Sequence, residues 1–102
     1  MPAYVFVEAT NLDAARVTAY RPLAEESIAV YGGRYLTQGA TPEVIEGDRW
    51  PTGRVVTTLE FPDMDRVREW YHSPEYQHAK AVREGAIDLR LLFVEGGTAP
   101  AP

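Results

Sequence analysis

The order of its periodic segments constrains the fold of this chain more than any other feature of the sequence. Residues 4–9 are rich in β-branched and aromatic side chains and predict a first strand. Residues 34–38 predict a short second strand, and residues 89–95 predict the last one. The clearest strand is 54–61, whose side chains alternate between two faces, with Leu59 and Phe61 on one and Glu60 on the other.

Two helical segments separate these strands. Residues 12–31 carry apolar side chains at helical spacing, and Gly32 and Gly33 predict the end of that helix. Pro22 lies inside it and predicts a kink or a restart at residues 21–22, because proline lacks a backbone donor and clashes with the preceding turn. A second helix is predicted from Met64 to about residue 85, after a capping signal at residues 62–63.

The order strand, helix, two strands, helix, strand predicts an α+β domain of the ferredoxin-like βαββαβ type. In that fold two helices cover one face of a four-stranded antiparallel sheet. A length of 102 residues fits one domain, which we expect over residues 1–95, with residues 96–102 as a flexible tail of small residues and proline. Residues 39–51 predict a long loop in which residues 44–46 pair at a sheet edge and which covers the mouth of a pocket.

The first and last strands carry apolar residues on both faces, although helices cover only one face of such a sheet. Tyr4 and Phe6 alternate with Val5 and Val7 in the first strand, and the last strand repeats this pattern. Exposure of the second face would leave a large hydrophobic patch. The sequence therefore predicts a homodimer that packs sheet against sheet.

Composition excludes several classes of function. The net charge of −5 has the wrong sign for a nucleic-acid-binding protein, which needs clustered Lys and Arg. The absence of cysteine excludes disulfides, thiolate metal sites and a cysteine nucleophile, and it is compatible with a reducing compartment. No apolar run approaches the ~18 residues of a membrane span. We therefore expect a cytoplasmic protein that binds neither nucleic acid nor membrane.

Residues 70–78 concentrate aromatic side chains and both histidines around a helix restart. Ser73 fits an N-cap and Pro74 the first position of a helix, so the second helix should break there and begin again. Trp70 should face the sheet, where it either packs in the core or forms the wall of a site for a flat organic ligand. The phenol of Tyr76 could orient a carbonyl group or donate a proton.

His72 and His78 are candidate general bases, because histidine titrates near neutral pH. They lie six residues apart, and no third ligand occurs at helical spacing from them. Since a zinc site needs three or four protein ligands, we expect no metal.

Arg34 and Glu60 form a second candidate pair, on strands that we expect to lie near the helix layer. One interpretation is a structural salt bridge, because a buried carboxylate needs a partner. The other is that Arg34 faces a pocket and binds a carboxylate or enolate oxygen while Glu60 moves a proton. Tyr35 and Arg83 are further candidates for contact with a substrate.

Several motifs in this order resemble those of one family, domain of unknown function 1330 (DUF1330), within the class of dimeric α/β-barrel proteins. The resemblance covers nearly the whole chain. Its motifs are Tyr31-Gly32-Gly33-Arg34-Tyr35-Leu36 with Gly39, Ile45-Glu46-Gly47, Leu59-Glu60-Phe61-Pro62, Trp70-Tyr71-His72-Ser73-Pro74-Glu75-Tyr76-Gln77, and Arg83. The resemblance implies a ferredoxin-like protomer that pairs through its sheet to form a barrel.

The wider class includes cofactor-free monooxygenases of aromatic polyketides, lactone isomerases, aldoxime dehydratases and haem-degrading enzymes. These commonly hold the ligand between the sheet and the helices of each protomer. The resemblance thus implies a cofactor-independent enzyme that acts on a small aromatic or unsaturated carbonyl compound by proton transfer, isomerisation or monooxygenation. One alternative is a non-catalytic small-molecule-binding or stress-related accessory protein whose aromatics fill the cavity. A second alternative is a haem-binding or haem-degrading protein, because a lone histidine follows a tryptophan on this helix.

Overall fold

The computed structural model describes residues 1–96 and consists of one sheet covered by helices on one face. Its elements are β1 (Ala3–Asn11), α1 (Ala14–Val30), β2 (Arg34–Ala40), β3 (Arg54–Phe61), α2 (Met64–His72), α3 (Pro74–Arg83) and β4 (Ile87–Glu95). Strand β1 is central in the sheet and pairs with both β3 and β4. The strand order is β2-β3-β1-β4, and every pairing is antiparallel. The predicted βαββαβ fold is confirmed.

Helix α1 runs through Pro22 without interruption, so the expected restart at residues 21–22 is wrong. The helix begins after Asp13, whose side chain accepts a hydrogen bond from the backbone N–H of Arg16. Val17 lies buried before the proline and Ile28 lies buried after it. Packing on both sides of Pro22 therefore outweighs the ~3 kcal/mol that proline costs inside a helix.

The predicted break in the second helix is confirmed. Helix α2 ends at His72 and α3 begins at Pro74, with Ser73 between them in an extended conformation. The Ser73 hydroxyl donates to the carbonyl of Trp70 at 2.6 Å and accepts from the backbone N–H of Tyr76 at 3.1 Å. One buried serine thus ends the first helix and caps the second.

Two expectations about loops need correction. The segment between β2 and β3 contains no strand, so the predicted edge pairing of residues 44–46 is wrong, and Ile45 is 81% exposed. The predicted tail begins at Gly96, but the backbone N–H of Gly96 donates to the carbonyl of Pro2 at 2.7 Å, which ties that residue to the N-terminus. The rest of the predicted tail, residues 97–102, lies outside the described part of the chain.

The inner face of the sheet and the helices enclose the core, which includes Val5, Leu59, Phe61, Val67 and Trp70. The opposite face of the sheet is covered by no element of residues 1–96. Apolar side chains are exposed there, because the strands carry apolar residues on both faces as the sequence predicts. No helix in the described range is long and apolar enough to span a membrane.

Candidate ligand-binding pocket

A pocket of about 480 Å³ lies between α1 and the inner face of the sheet. All four strands contribute to its floor, largely with aliphatic side chains, for example Val7, Val55 and Leu89. Helix α1 forms the opposite wall through Val17, Ala24 and neighbouring residues. A volume of this size falls within the range of sites for small organic molecules.

Aromatic side chains line one end of this pocket. Trp70 lies there, and its ring packs 4.3 Å from the ring of Tyr76 and 5.3 Å from that of Phe61. Its indole N–H donates to the Ser27 hydroxyl at 3.0 Å and is therefore not free to bind a ligand. Trp70 is thus a core residue with one part in the pocket wall, so the two interpretations from the sequence are compatible.

Tyr20 connects the pocket to a buried chain of hydrogen bonds. Its hydroxyl lies 3.1 Å from the hydroxyl of Tyr76. The Arg83 guanidinium in turn donates to the Tyr76 hydroxyl, at 3.4 Å from Nε and 3.3 Å from Nη2. Tyr20 lines the pocket, while Tyr76 and Arg83 are buried behind it.

Burial shapes the acid–base properties of these groups. It raises the pKa of Tyr20 far above its ordinary value, and the neighbouring Tyr76 raises it further. Burial also raises the pKa of Tyr35, which lines the pocket from β2, to about 12, with a further contribution from Glu25. Burial alone would lower the pKa of Arg83, but the Tyr76 and Tyr20 hydroxyls reverse this effect, and the net shift is upward. At neutral pH the phenols of Tyr20 and Tyr35 are therefore protonated and can donate hydrogen bonds, and the Arg83 guanidinium is positively charged.

Polar residues lie along the α1 and β2 sides of the pocket. Glu25 and Arg21 come from α1 and are exposed to solvent. The Gln38 side chain, on β2, donates to the Glu25 carboxylate at 3.0 Å. Of the predicted loop, residues 39–51, Gly39 lines the pocket and residues 41–51 do not, so most of this loop lies away from the pocket.

The two histidines are exposed and line no part of this pocket. His72 ends α2, where its ring contacts that of Tyr71 at 5.3 Å. His78 lies on the outer side of α3, beside a shallow groove that Glu26 and Glu75 also line. Their predicted role as general bases therefore has no support from their position in the fold. Within residues 1–96, no group of three or more His, Asp or Glu side chains lies close enough together to hold a metal ion.

Arg34 and Glu60 lie on the open face of the sheet, so the expectation that they face the helix layer is wrong. The physical reason is the alternation of the strand: Leu59 and Phe61 are buried against the helices, and Glu60 between them points the other way. Arg34 is opposite Glu60 in the β2–β3 register, and its Nη2 lies 2.7 Å from the Glu60 carboxylate. The structure therefore supports the alternative of a structural salt bridge.

Tyr20 and Glu25 are pocket residues that the sequence does not indicate as functional, and the charge pattern of α1 predicts a solvated surface position for Glu25. For Tyr20, more could have been inferred. The signal was present, because it lies on the apolar stripe of α1, three residues after Val17 and four before Ala24. A tyrosine at such a position buries its ring and needs a partner for its hydroxyl. Nothing in the sequence indicates that Tyr76 and Arg83 provide that partner.

The raised pKa of Tyr35 predicts loss of stability in alkali. A group whose pKa is higher in the folded state contributes fully below its ordinary pKa of 10.0, and the contribution is lost as the pH rises towards 12. Tyr35 is partly exposed, and solvent weakens the effect of its shifted pKa. We therefore expect the free energy of unfolding to fall by about 1 kcal/mol. The melting temperature should fall between pH 9 and pH 11, and less so in Tyr35→Phe. Tyr4→Phe, outside the pocket, is the matched control, and an equal fall in all three proteins would contradict the prediction.

The fold and the position of this pocket define the class of protein. The molecule has the ferredoxin-like fold of dimeric α/β-barrel proteins, and its aromatic-lined pocket lies between the sheet and α1. The chain belongs to the DUF1330 family, named as a domain of unknown function, whose model matches residues 2–97. This confirms the resemblance that the motifs indicated.

Solved structures share this fold. The RPA0582 protein of unknown function from Rhodopseudomonas palustris superposes with a TM-score of 0.77 at 19% identity, over 96% of this chain and 84% of that one. A dimeric ferredoxin-like protein of unknown function from Jannaschia sp. CCS1 gives a TM-score of 0.68 at 11% identity, over 94% and 100%. SnoaB, a cofactor-independent oxygenase from Streptomyces nogalater, gives 0.64 at 10% identity, over 96% and 95%. At such identities the likeness shows the fold alone. No sequence among the curated proteins matches the chain significantly.

Proposed function

We propose that the protein is a cofactor-independent enzyme that binds a small aromatic or unsaturated carbonyl compound in the pocket between α1 and the sheet. Its reaction is proton transfer at the carbon next to the carbonyl group. The resulting enolate is the species that isomerises or, in a monooxygenase, reacts with dioxygen. The observation that carries the proposal is the pocket itself, with its apolar walls, one aromatic end and a buried phenol that can donate to an oxygen atom.

The pocket offers a partner for each half of this proton transfer. The Glu25 carboxylate accepts the proton as the C–H bond breaks, and the electron pair moves onto the carbonyl oxygen. The Tyr20 hydroxyl donates a hydrogen bond to that oxygen as it becomes negative. Glu25 thus takes the role of proton acceptor, for which the sequence suggested His72, His78 or Glu60. Tyr20 takes the role of binding the negative oxygen, which the sequence suggested for Arg34. Tyr35 and Trp70 keep their predicted role as walls for the ligand.

The cavity argues against an accessory protein whose own aromatics fill it, because Trp70 and Tyr76 pack together and leave about 480 Å³ beside them. A non-catalytic small-molecule-binding protein would have the same open cavity, and the proton-exchange measurement below distinguishes it from an enzyme. A haem protein with a histidine axial ligand would need that histidine in the pocket, and both histidines lie outside it. The fold of SnoaB, a cofactor-independent oxygenase, is compatible with chemistry that needs no bound group.

The active form is a homodimer that pairs through the open face of the sheet. Apolar side chains at its centre, Phe6, Leu92 and Val94, are 36%, 40% and 43% exposed in the single chain. The charged residues of this face pair with one another: Arg34 with Glu60, and Arg54 and Arg90 with Glu8. Since these charges are already paired, a second copy can cover the face without burying an isolated ion. The Jannaschia relative is described as dimeric.

Binding and proton transfer can be tested with 2-acetonaphthone, an aromatic ketone with exchangeable protons next to its carbonyl group. We expect it to raise the melting temperature of the protein, because a ligand that binds only the folded state stabilises that state. We also expect the protein to accelerate exchange of the methyl protons in D₂O, followed by NMR. Glu25→Gln should retain binding and lose the exchange.

The matched pair Ala9→Phe and Ala19→Phe locates the binding site. Ala9 lines the pocket from β1, so a phenyl ring there should abolish the thermal shift, whereas Ala19 is exposed on α1 and the same substitution should leave the shift unchanged. Equal thermal shifts in both variants would contradict the proposed site. Exchange no faster than in buffer would overturn the proposed reaction.

A further inference from the structure

The buried cation behind the pocket lacks a charged partner. Arg83 is 8% exposed, yet no carboxylate in residues 1–96 forms a salt bridge with it. Its hydrogen bonds go to the neutral Tyr76 hydroxyl, and its guanidinium lies 5.9 Å and 6.0 Å from the ring centroids of Tyr20 and Tyr76. Buried charges are ordinarily paired, so an arginine held by aromatic rings and a phenol alone is unusual.

The direction of the hydrogen bonds in this chain follows from the chemistry of arginine. A guanidinium can only donate, so the Tyr76 oxygen accepts from Arg83. The Tyr76 side chain is buried, and in the described structure its hydroxyl has Tyr20 as its other partner. A buried hydroxyl proton needs an acceptor, so Tyr76 donates to the Tyr20 oxygen. This leaves the Tyr20 proton available for a ligand in the pocket.

We infer that the pocket selects a ligand with an anionic oxygen, a carboxylate, phenolate or enolate, and that Arg83 sets this preference as a positioning residue acting through Tyr76 and Tyr20. This inference rests on the proposed function, because it names the substrate class of the same pocket. Each donor in the chain is polarised by the one behind it, so the Tyr20 hydroxyl carries part of the effect of the Arg83 charge. An anionic oxygen receives the stronger hydrogen bond and compensates a cation that has no carboxylate partner.

The other charged residues near these hydrogen bonds are compatible with a preference for an anionic ligand. Arg16 donates to the carbonyls of Val82 and Glu84 at the end of α3, so those carbonyls already have a cationic partner. Arg21 lines the pocket and adds a second positive charge. Glu25 is the carboxylate among the pocket-lining residues, and the Gln38 amide is hydrogen-bonded to it.

The test compares 2-naphthoate with 2-naphthamide, which have the same shape and differ in charge. Titration of the wild-type protein should give about tenfold tighter binding of the anion, the scale of a charge-assisted hydrogen bond. Tyr76→Phe keeps the packed ring but interrupts the chain, and Arg83→Met keeps the apolar stem but removes the charge. In both variants the affinity for naphthoate should fall about tenfold while that for naphthamide stays unchanged. If Arg83→Met fails to fold, the affinities of Tyr76→Phe for the two probes test the inference by themselves.

The outcomes separate this inference from the proposed function. Equal affinity of the wild-type protein for the two probes, or an anion preference that survives Tyr76→Phe and Tyr20→Phe, would overturn the inference and leave the pocket as a binding site. Failure of both probes to bind the wild-type protein would overturn both. A loss of affinity for both probes in Tyr76→Phe would assign that residue a structural role and also count against the inference.

Discussion

Trp70→Ala should destabilise the protein by about 3–5 kcal/mol, the cost of removing a large aromatic side chain from a packed core. Trp70 is 2% exposed and lies within 4.3–6.2 Å, centroid to centroid, of the rings of Tyr76, Phe61 and Tyr71. The substitution also leaves the Ser27 hydroxyl without its indole donor. For a domain of this size the melting temperature should fall by roughly 15–30 °C. Urea unfolding followed by circular dichroism measures the change.

The second tryptophan provides a matched control. Trp50 lies in the loop between β2 and β3, is half-buried, and donates from its ring to the carbonyl of Arg54 at 2.6 Å. Its replacement by alanine should cost about 2 kcal/mol, since it removes one hydrogen bond and the contacts of a half-buried ring in a loop. If the two substitutions destabilise the protein equally, Trp70 is not the centre of the core.

Phe6→Glu should convert the proposed homodimer into a monomer. Phe6 lies in the central strand on the open face, where a second copy would bury a new carboxylate without a partner. An unpaired buried charge costs several kcal/mol, so the dissociation constant of the dimer should rise by more than about 100-fold. In the monomer the same side chain remains exposed, so the variant should still fold. Sedimentation equilibrium of both proteins measures the effect.

Ile45→Glu is the control for this experiment. Ile45 is more exposed than Phe6, at 81% against 36%, but it lies in the loop between β2 and β3 and not on the sheet. It should remain dimeric. If Ile45→Glu dissociates the protein and Phe6→Glu does not, the interface lies at the loop and the sheet-face dimer is wrong.

The order and type of the elements could be predicted because each depends on local chemistry. The strand at Arg54–Phe61 has the bounds that its alternation predicts, and Ser73 and Pro74 break the second helix where their capping chemistry requires. Pro22 shows where local rules fail, since its effect depends on what α1 packs against. The restart predicted as one of two outcomes there is absent because both halves of the helix are buried on the same side.

The site was less predictable, for two reasons. The position of Glu60 could have been inferred from the sequence, because residues next to buried Leu59 and Phe61 must lie on the other face of the strand. The position of His78 could not, because the face of α3 that turns inward is set by the packing of Tyr76 and Ala79 against the sheet and α1. Titratable side chains in one stretch of sequence therefore did not indicate one site.

The sequence by itself determines the ferredoxin-like order of elements and the break at Ser73, because side-chain periods and capping groups act within a few residues of one another. The family follows from the resemblance of its motifs, among them residues 70–78. Tertiary structure alone decides that Gly33 must be glycine, because a Cβ there would lie 2.6 Å from the Phe61 ring. It also alone brings Tyr20, Tyr76 and Arg83 together. Tyr76 and Arg83 both lie on α3, but the Tyr20 hydroxyl bonds to a residue 56 positions away, and that contact forms only when α1 and α3 pack side by side.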